Sequence, residues 1–301
     1  MSEKIAVVTG SNKGVGYAIV MGLCERFKGT VYLTARYEEN GKDAIAKLKK
    51  LGYQPLFHQL DITDQTSVNK FKKHIQTTHG GLDLLINNAG ILFPMDAVES
   101  FAEQAEKMVA VNYFGTLRVC EALFPLLRNN AKVVNISSSA GHLYRIPSAS
   151  VRDKFRDFGL TIPKLNEIME NFVMDAKENK AQQEGWGNPP HCAYVISKVG
   201  ASALTIIQQG LFNHEIPNRN ISVNHVHPGL VKTDLNSNGN LTIEQGARAP
   251  LYVALDANFK GKYVWSNCQI VDWYRQPTPA SIILLKIYVY FGVNLKIKFE
   301  L

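Results

Sequence analysis

Tyr194 and Lys198 stand four residues apart in a stretch of helical period, so their side chains share a face. A free tyrosine ionises near pH 10. An ammonium beside it favours the phenolate and lowers that value, at about 1.4 kcal/mol per unit. Such a tyrosine can pass a proton to a carbonyl oxygen as hydride reaches the carbon. A lone Tyr-x-x-x-Lys arises often by chance, but this pair is not alone. Ser137, Ser138 and Ser139 follow the apolar run KVVNI, at the strand end where open α/β sheets place ligands. A hydroxyl there can hold the same carbonyl oxygen. Asn112 lies late in the preceding helical stretch and can anchor a water leading to Lys198.

A second constellation suits a phosphate. Residues 9–16 read Thr-Gly-Ser-Asn-Lys-Gly-Val-Gly, between an apolar run and an apolar helical stretch. Gly10, Gly14 and Gly16 let the backbone turn tightly and approach a pyrophosphate. The following helix N-terminus adds free N–H groups and a partial positive charge. The next apolar run ends Leu-Thr-Ala-Arg36. An NAD site would place a carboxylate here for the ribose 2′-hydroxyl; an arginine suits a 2′-phosphate. Asn12 and Lys13 can join it, so NADPH is expected over NADH, with Glu38 and Glu39 as the opposing feature. Asp61 and Ile62 offer an adenine contact. In Asn87-Asn88-Ala89-Gly90, small residues let the chain lie against a cofactor.

The elements that must carry these groups follow a regular rhythm. The short apolar runs IAVV, VYLTA, PLFHQL, LDLLI and KVVNI alternate with longer amphipathic stretches. Continuous apolarity marks strands covered on both faces, and the alternation implies βαβ units around a parallel sheet. Residues 139–191 break the rhythm with a charged loop, then Leu165, Ile168, Met169, Phe172 and Val173 at helical spacing. This reads as a helical insert. A long helix over about 192–213, a strand at 221–227, a helix over 242–256 and a last strand near 262–265 complete the domain. Residues 1–272 thus read as one α/β domain with its insert at 139–191. Residues 273–301 form an apolar and basic extension in which Lys286, Lys296 and Lys298 could meet anionic lipid, although a packed or disordered tail is the simpler expectation.

Composition narrows the function classes. The chain has 301 residues, 46% apolar and 20% charged, the balance of a globular protein. Its net charge of +7 is scattered over single lysines, without the clustered basic face that nucleic-acid binding requires. Cys24, Cys120, Cys192 and Cys268 form no metal-ligand spacing, so no metal is expected and reduced cytosolic thiols are. Cys192, close to Tyr194, is the one weighed for modification. The opening MSEKIAVVTG carries no secretory pattern, which points to the cytoplasm.

The segments VVTGSNKGVG, LTAR, FHQLDI, GGLDLLINNAGI, VNYFGT, VVNISS, EGW, AYVISK and HPGLVKTD together resemble the short-chain dehydrogenase/reductase family, in its carbonyl reductase branch, over about residues 4–270. The resemblance implies a doubly wound Rossmann-type sheet. It implies the catalytic set Asn112, Ser138, Tyr194 and Lys198, with Ser138 chosen as the second residue after Ile136. For the cofactor it implies Gly10, Asn12, Lys13, Gly14, Val15, Gly16, Arg36, Asp61, Ile62, Asn88, Val231 and Thr233, beside Gly90, Tyr194 and Lys198. It further implies NADPH as donor to ketones, aldehydes or quinones, and a monomer whose insert covers the face that tetrameric relatives pair. Ser138, Gln104, Leu230 and a lid-like Trp186 are the expected substrate contacts. Leu230 replaces a larger aromatic and Pro94 also departs from the branch, so substrate preference does not carry over. The same residues would serve a steroid or prostaglandin alcohol dehydrogenase, and a non-catalytic NADP(H) sensor would keep the fold without needing the proton donor.

Overall fold

The computed structural model describes residues 3–94 and 96–275. The lipid-contact expectation for Lys286, Lys296 and Lys298 lies outside the described residues.

Eight strands form one sheet: β1 (Lys4–Val8), β2 (Gly29–Ala35), β3 (Leu56–Gln59), β4 (Leu82–Asn87), β5 (Leu127–Ile136), β6 (Ser222–Val226), β7 (Tyr263–Val264) and β8 (Ile270–Val271). Their spatial order is β3-β2-β1-β4-β5-β6-β7-β8. Every pairing is parallel except the last, where β8 runs antiparallel to β7. The order reverses between β1 and β4, the switch point outside which such sheets bind ligands. β1 and β6 are buried along nearly their whole length because helices cover both faces. The short β8 is an element that the sequence reading did not anticipate.

The first crossovers run through α1 (Gly14–Arg26), α2 (Glu38–Lys50) and α3 (Gln65–His79). Then come α4 (Phe101–Val109) and α5 (Thr116–Leu123), joined by a π-helical segment, Ala110–Gly115. The insert contains α6 (Ala149–Arg156) and α7 (Ile162–Lys177). The long α8 (His191–Asn213) and α9 (Ile243–Leu251) complete the set. Capping residues set several boundaries: Asp64 opens α3, Thr161 opens α7, and Ser100 with Glu103 forms a reciprocal box on α4.

The insert is seated, as its apolar periodicity predicts. Leu165, Met169, Phe172 and Ala176 of α7 are buried against α4 and α8. Gly200 of α8 makes the approach possible: a Cβ there would stand 2.6 Å from Met169 Sδ. The Phe172 ring meets Phe101 and Trp186 edge-on at 6.4 and 5.4 Å. Among the described residues α8 alone is long and apolar enough to cross a membrane, and most of it is buried in this core.

The packed body extends past the expected boundary at residue 272. Trp273 is buried, and its indole N–H donates to the Gly141 carbonyl at 2.6 Å. A residue expected to begin a separate extension therefore belongs to the core.

Candidate active site

Tyr194 and Lys198 lie on the first turns of α8, one turn apart. The helix is held to the sheet by a buried polar chain. Asn87 of β4 donates to Asn135 of β5, which donates to Thr205 of α8, both at 2.8 Å. Each such bond is worth about 1 kcal/mol net, and losing one partner costs more because the other stays buried.

The structure separates the three serines. Ser137 is turned away and pairs with Ser202 of α8 at 2.8 Å. Ser139 is buried. Ser138 is the partly accessible one, and its side chain lies near enough to Tyr194 to lower that group's pKa, while its Oγ accepts from Ala140 N–H at 3.2 Å.

The electrostatics differ from the expectation. Tyr194 is held above the ordinary tyrosine value, because burial outweighs the lowering effect of Ser138. Lys198 Nζ sits 5.9 Å from the Tyr194 ring centroid, and burial lowers its own pKa to about 8. Burial, the largest cause at both groups, raises Tyr194 and lowers Lys198, so the depression of Tyr194 expected from the four-residue spacing is not what the structure shows. A tyrosine that stays protonated at neutral pH is suited to donating a proton. Lys198 Nζ spends one hydrogen bond on the Ile136 carbonyl, at 3.0 Å.

Asn112 sits on the π-helical segment between α4 and α5, a local widening that re-aims side chains and often marks functional positions. Its amide accepts from Ile91 N–H at 2.8 Å, donates to Ile91 O at 2.9 Å, and donates to Ser197 Oγ at 3.0 Å. It clamps the loop after β4 to α8. Gly90 lies where a Cβ would stand 3.0 Å from Asn112 Oδ1 and 3.4 Å from Lys198 Nζ. Asn112 and Lys198 thus meet at Gly90.

The residues expected to hold the dinucleotide also converge, and they fit it. Gly10 and Gly14 have left-handed φ of 58° and 59°. At Gly16 a Cβ would strike Asn88 Nδ2 at 2.3 Å, so only glycine fits. No side chain caps the N-terminus of α1, which leaves its N–H groups for a phosphate. Thr233 lies 3.4 Å from a Gly14 Cβ, and Val231 and Val15 both pack at Gly246. Asn88 Nδ2 donates to the carbonyls of Thr9 and Gly10, both at 2.9 Å. Arg36 is exposed over the Tyr37 ring and makes no ion pair among the described residues. Lys13 pairs with Asp234 across the cleft at 2.7 Å, a partner that the sequence reading missed. Asp61 turns its carboxylate onto Thr63, at 2.8 Å to its N–H, and Ile62 is buried against Gly115. The side chain of Ile62 thus belongs to the core, and any contact of this residue with adenine falls to its backbone.

Two expected substrate contacts are also corrected. Trp186 is 1% exposed, packed on Phe172, with Nε1 donating to Asp175 at 2.7 Å. It is a core residue of the insert and no lid. Gln104 is buried and donates to Glu99 O at 2.9 Å, holding the 91–99 segment from behind. A cleft of roughly 480 Å³ lies between that segment and the 230–241 loop, lined by Leu92, Phe93, Pro94, Val98 and Leu235. Leu230 is half-buried, and its carbonyl accepts from Asn240 and Leu241 N–H. Cys192 is buried and its thiol is pushed up to about 12, so its modification is not supported. Among the described residues no cluster could hold a metal ion.

Residues 4–151 match the short chain dehydrogenase family. The chain is 41% identical over 256 residues to mouse "Carbonyl reductase [NADPH] 3", an alignment spanning 84% of this chain and 91% of the relative. The chain belongs to the short-chain dehydrogenase family. Bovine "Carbonyl reductase [NADPH] 1" is 38% identical over 278 residues, covering 90% of this chain and 99% of that one. Among solved structures, salutaridine reductase from Papaver somniferum superposes with a TM-score of 0.78 at 32% identity, over 86% of this chain and 99% of that one. The short-chain dehydrogenase match carries the Rossmann-type fold expected from the sequence.

Proposed function

We propose that this short-chain dehydrogenase is an NADPH-dependent carbonyl reductase acting on ketones, aldehydes or quinones. The observation that carries the reading is the convergence of Ser138 and Tyr194 at the β5 end with Lys198 and Asn112 behind them, facing a loop built for a dinucleotide. NADPH, when bound, supplies the hydride. Glycines 10, 14 and 16 and the N-terminus of α1 would hold its pyrophosphate, and Arg36 its 2′-phosphate. Lys198 would hold the ribose.

Ser138 and Tyr194 bind the carbonyl oxygen, and the Tyr194 hydroxyl gives it a proton as the alcohol forms. Lys198, in its ammonium form, stabilises the tyrosinate left behind. Asn112 fixes the loop after β4 and anchors the water that returns a proton through Lys198. The apolar cleft at Phe93 and Leu235 favours a carbonyl attached to an apolar body.

The seating of α7 on α4 and α8 supports a monomer, and four thiols without disulfide partners support a cytoplasmic setting. Light scattering should give the mass of one chain, and a tetramer would contradict the monomer. The function is tested by loss of NADPH absorbance with menadione, then with a panel of ketones and aldehydes. Turnover is expected, with NADH a poorer donor. Tight NADPH binding without turnover on the whole panel would reject the reading.

A further inference from the structure

The peptide unit that joins Ser138 to Ser139 is gripped at both ends by side chains from the C-terminal third of the chain. Its carbonyl accepts from the Tyr263 hydroxyl, as well as from Gly141 N–H at 2.8 Å. Its N–H donates to His227 Nδ1 at 3.0 Å. Tyr263 comes from β7 and His227 from the loop after β6. Both are buried, at 1% and 4% exposure. The Tyr263 ring lies 4.7 Å from His225 and 5.9 Å from Trp265, centroid to centroid, which leaves it little freedom to turn.

The plane of a peptide unit fixes ψ of the residue before it. Ser138 has ψ 163°, and that angle sets where its backbone sits against α8. We propose that Tyr263 and His227 are positioning residues of the reductive site, locking the Ser138–Ser139 peptide and so aiming Ser138 Oγ at Tyr194. Neither touches the substrate. The grip works only while His227 presents a lone pair at Nδ1, and burial keeps its imidazole neutral, down to about 3. His227 Nδ1 also lies 3.4 Å from Gly229 N–H, which ties the serine loop to the loop that closes on the glycine turn.

The inference rests on the reductase reading above. Tyr263→Phe removes the hydroxyl and keeps the ring. Its kcat should fall about fivefold to tenfold, the value of one well-placed hydrogen bond. KM for NADPH should be unchanged, and the thermal midpoint should fall by no more than about 2–4 °C, the scale of one buried hydrogen bond. The same substitution in a Ser138→Ala background should cost nothing further, because the group it aims is gone. Single-turnover NADPH oxidation with stoichiometric enzyme keeps the slow variants measurable. His227→Gln, which retains an acceptor, should recover activity that His227→Ala loses.

An equal loss in both backgrounds would mean a general packing role and would overturn the proposal, as would an unchanged kcat for Tyr263→Phe. A wild-type protein that reduces no carbonyl strikes the reductase reading first, and the positioning role falls with it. An active wild type that is indifferent to Tyr263→Phe strikes the positioning role alone.

Discussion

The two sides of the active site are built by different means. The dinucleotide side comes from residues 9–16, 36 and 87–90, each set at the end of a strand. The serine side comes from Ser138, with Tyr263, His227 and Trp273 holding its loop from up to 135 positions further on, as Trp273 and Ser138 are numbered. On the first side glycines are demanded by backbone contact: Gly16 cannot bear a Cβ beside Asn88. On the second, geometry is imposed by buried aromatic side chains meeting across strands. A short segment can specify a turn, but aiming a hydroxyl takes the packed core of the distant half.

The comparison can be broken first in the core. Phe172→Ala should cost about 3–5 kcal/mol of stability, because it opens a cavity between Phe101 and Trp186. Thermal unfolding would read this as a clearly lowered midpoint, and a loss under 1 kcal/mol would mean that α7 is not a true part of the body. Ser138→Ala should follow, lowering kcat about 10²- to 10³-fold with KM for NADPH kept, the scale of losing one oxyanion donor. Arg36→Ala should be smaller, raising KM for NADPH about 10- to 100-fold and leaving NADH kinetics unaltered, since a charge-assisted bond to phosphate is worth about 1.5–3 kcal/mol. Equal effects on both cofactors would remove Arg36 from the 2′-phosphate.

The smallest effect is a pH dependence. Burial lowers Lys198 to about 8, so its ammonium is present below that pH and lost above it. The reductive kcat/KM should hold below pH 8 and fall about tenfold per unit above it. Stability moves the other way. The unfolded chain binds a proton on this lysine up to about pH 10.4 and the folded one only to about 8, so this group favours the fold increasingly as pH rises between them. A flat rate profile from pH 7 to 9 would show that the charge on Lys198 is not used.

The sheet, the insert and the four positions proposed for catalysis were legible in the sequence because each has a local signature. Strands covered on both faces read as apolar runs, and a four-residue spacing puts Tyr194 beside Lys198 on α8. Trp186 was misread because a large aromatic close before the tyrosine looks like a pocket wall. Only the fold reveals that Asp175 satisfies its indole and Phe172 covers it. The raised pKa of Tyr194 was equally hidden: spacing shows that a lysine is near, while burial decides which effect wins. The Tyr263 and His227 grip has no period at all, since it joins strands that meet only in the folded sheet.

The central claim is that Tyr194 delivers the proton. Tyr194→Phe should bind NADPH as the wild type does, measured by fluorescence, while its menadione-dependent NADPH oxidation falls by about 10²- to 10⁴-fold. Turnover within threefold of wild type would contradict the account and move the proton donor elsewhere.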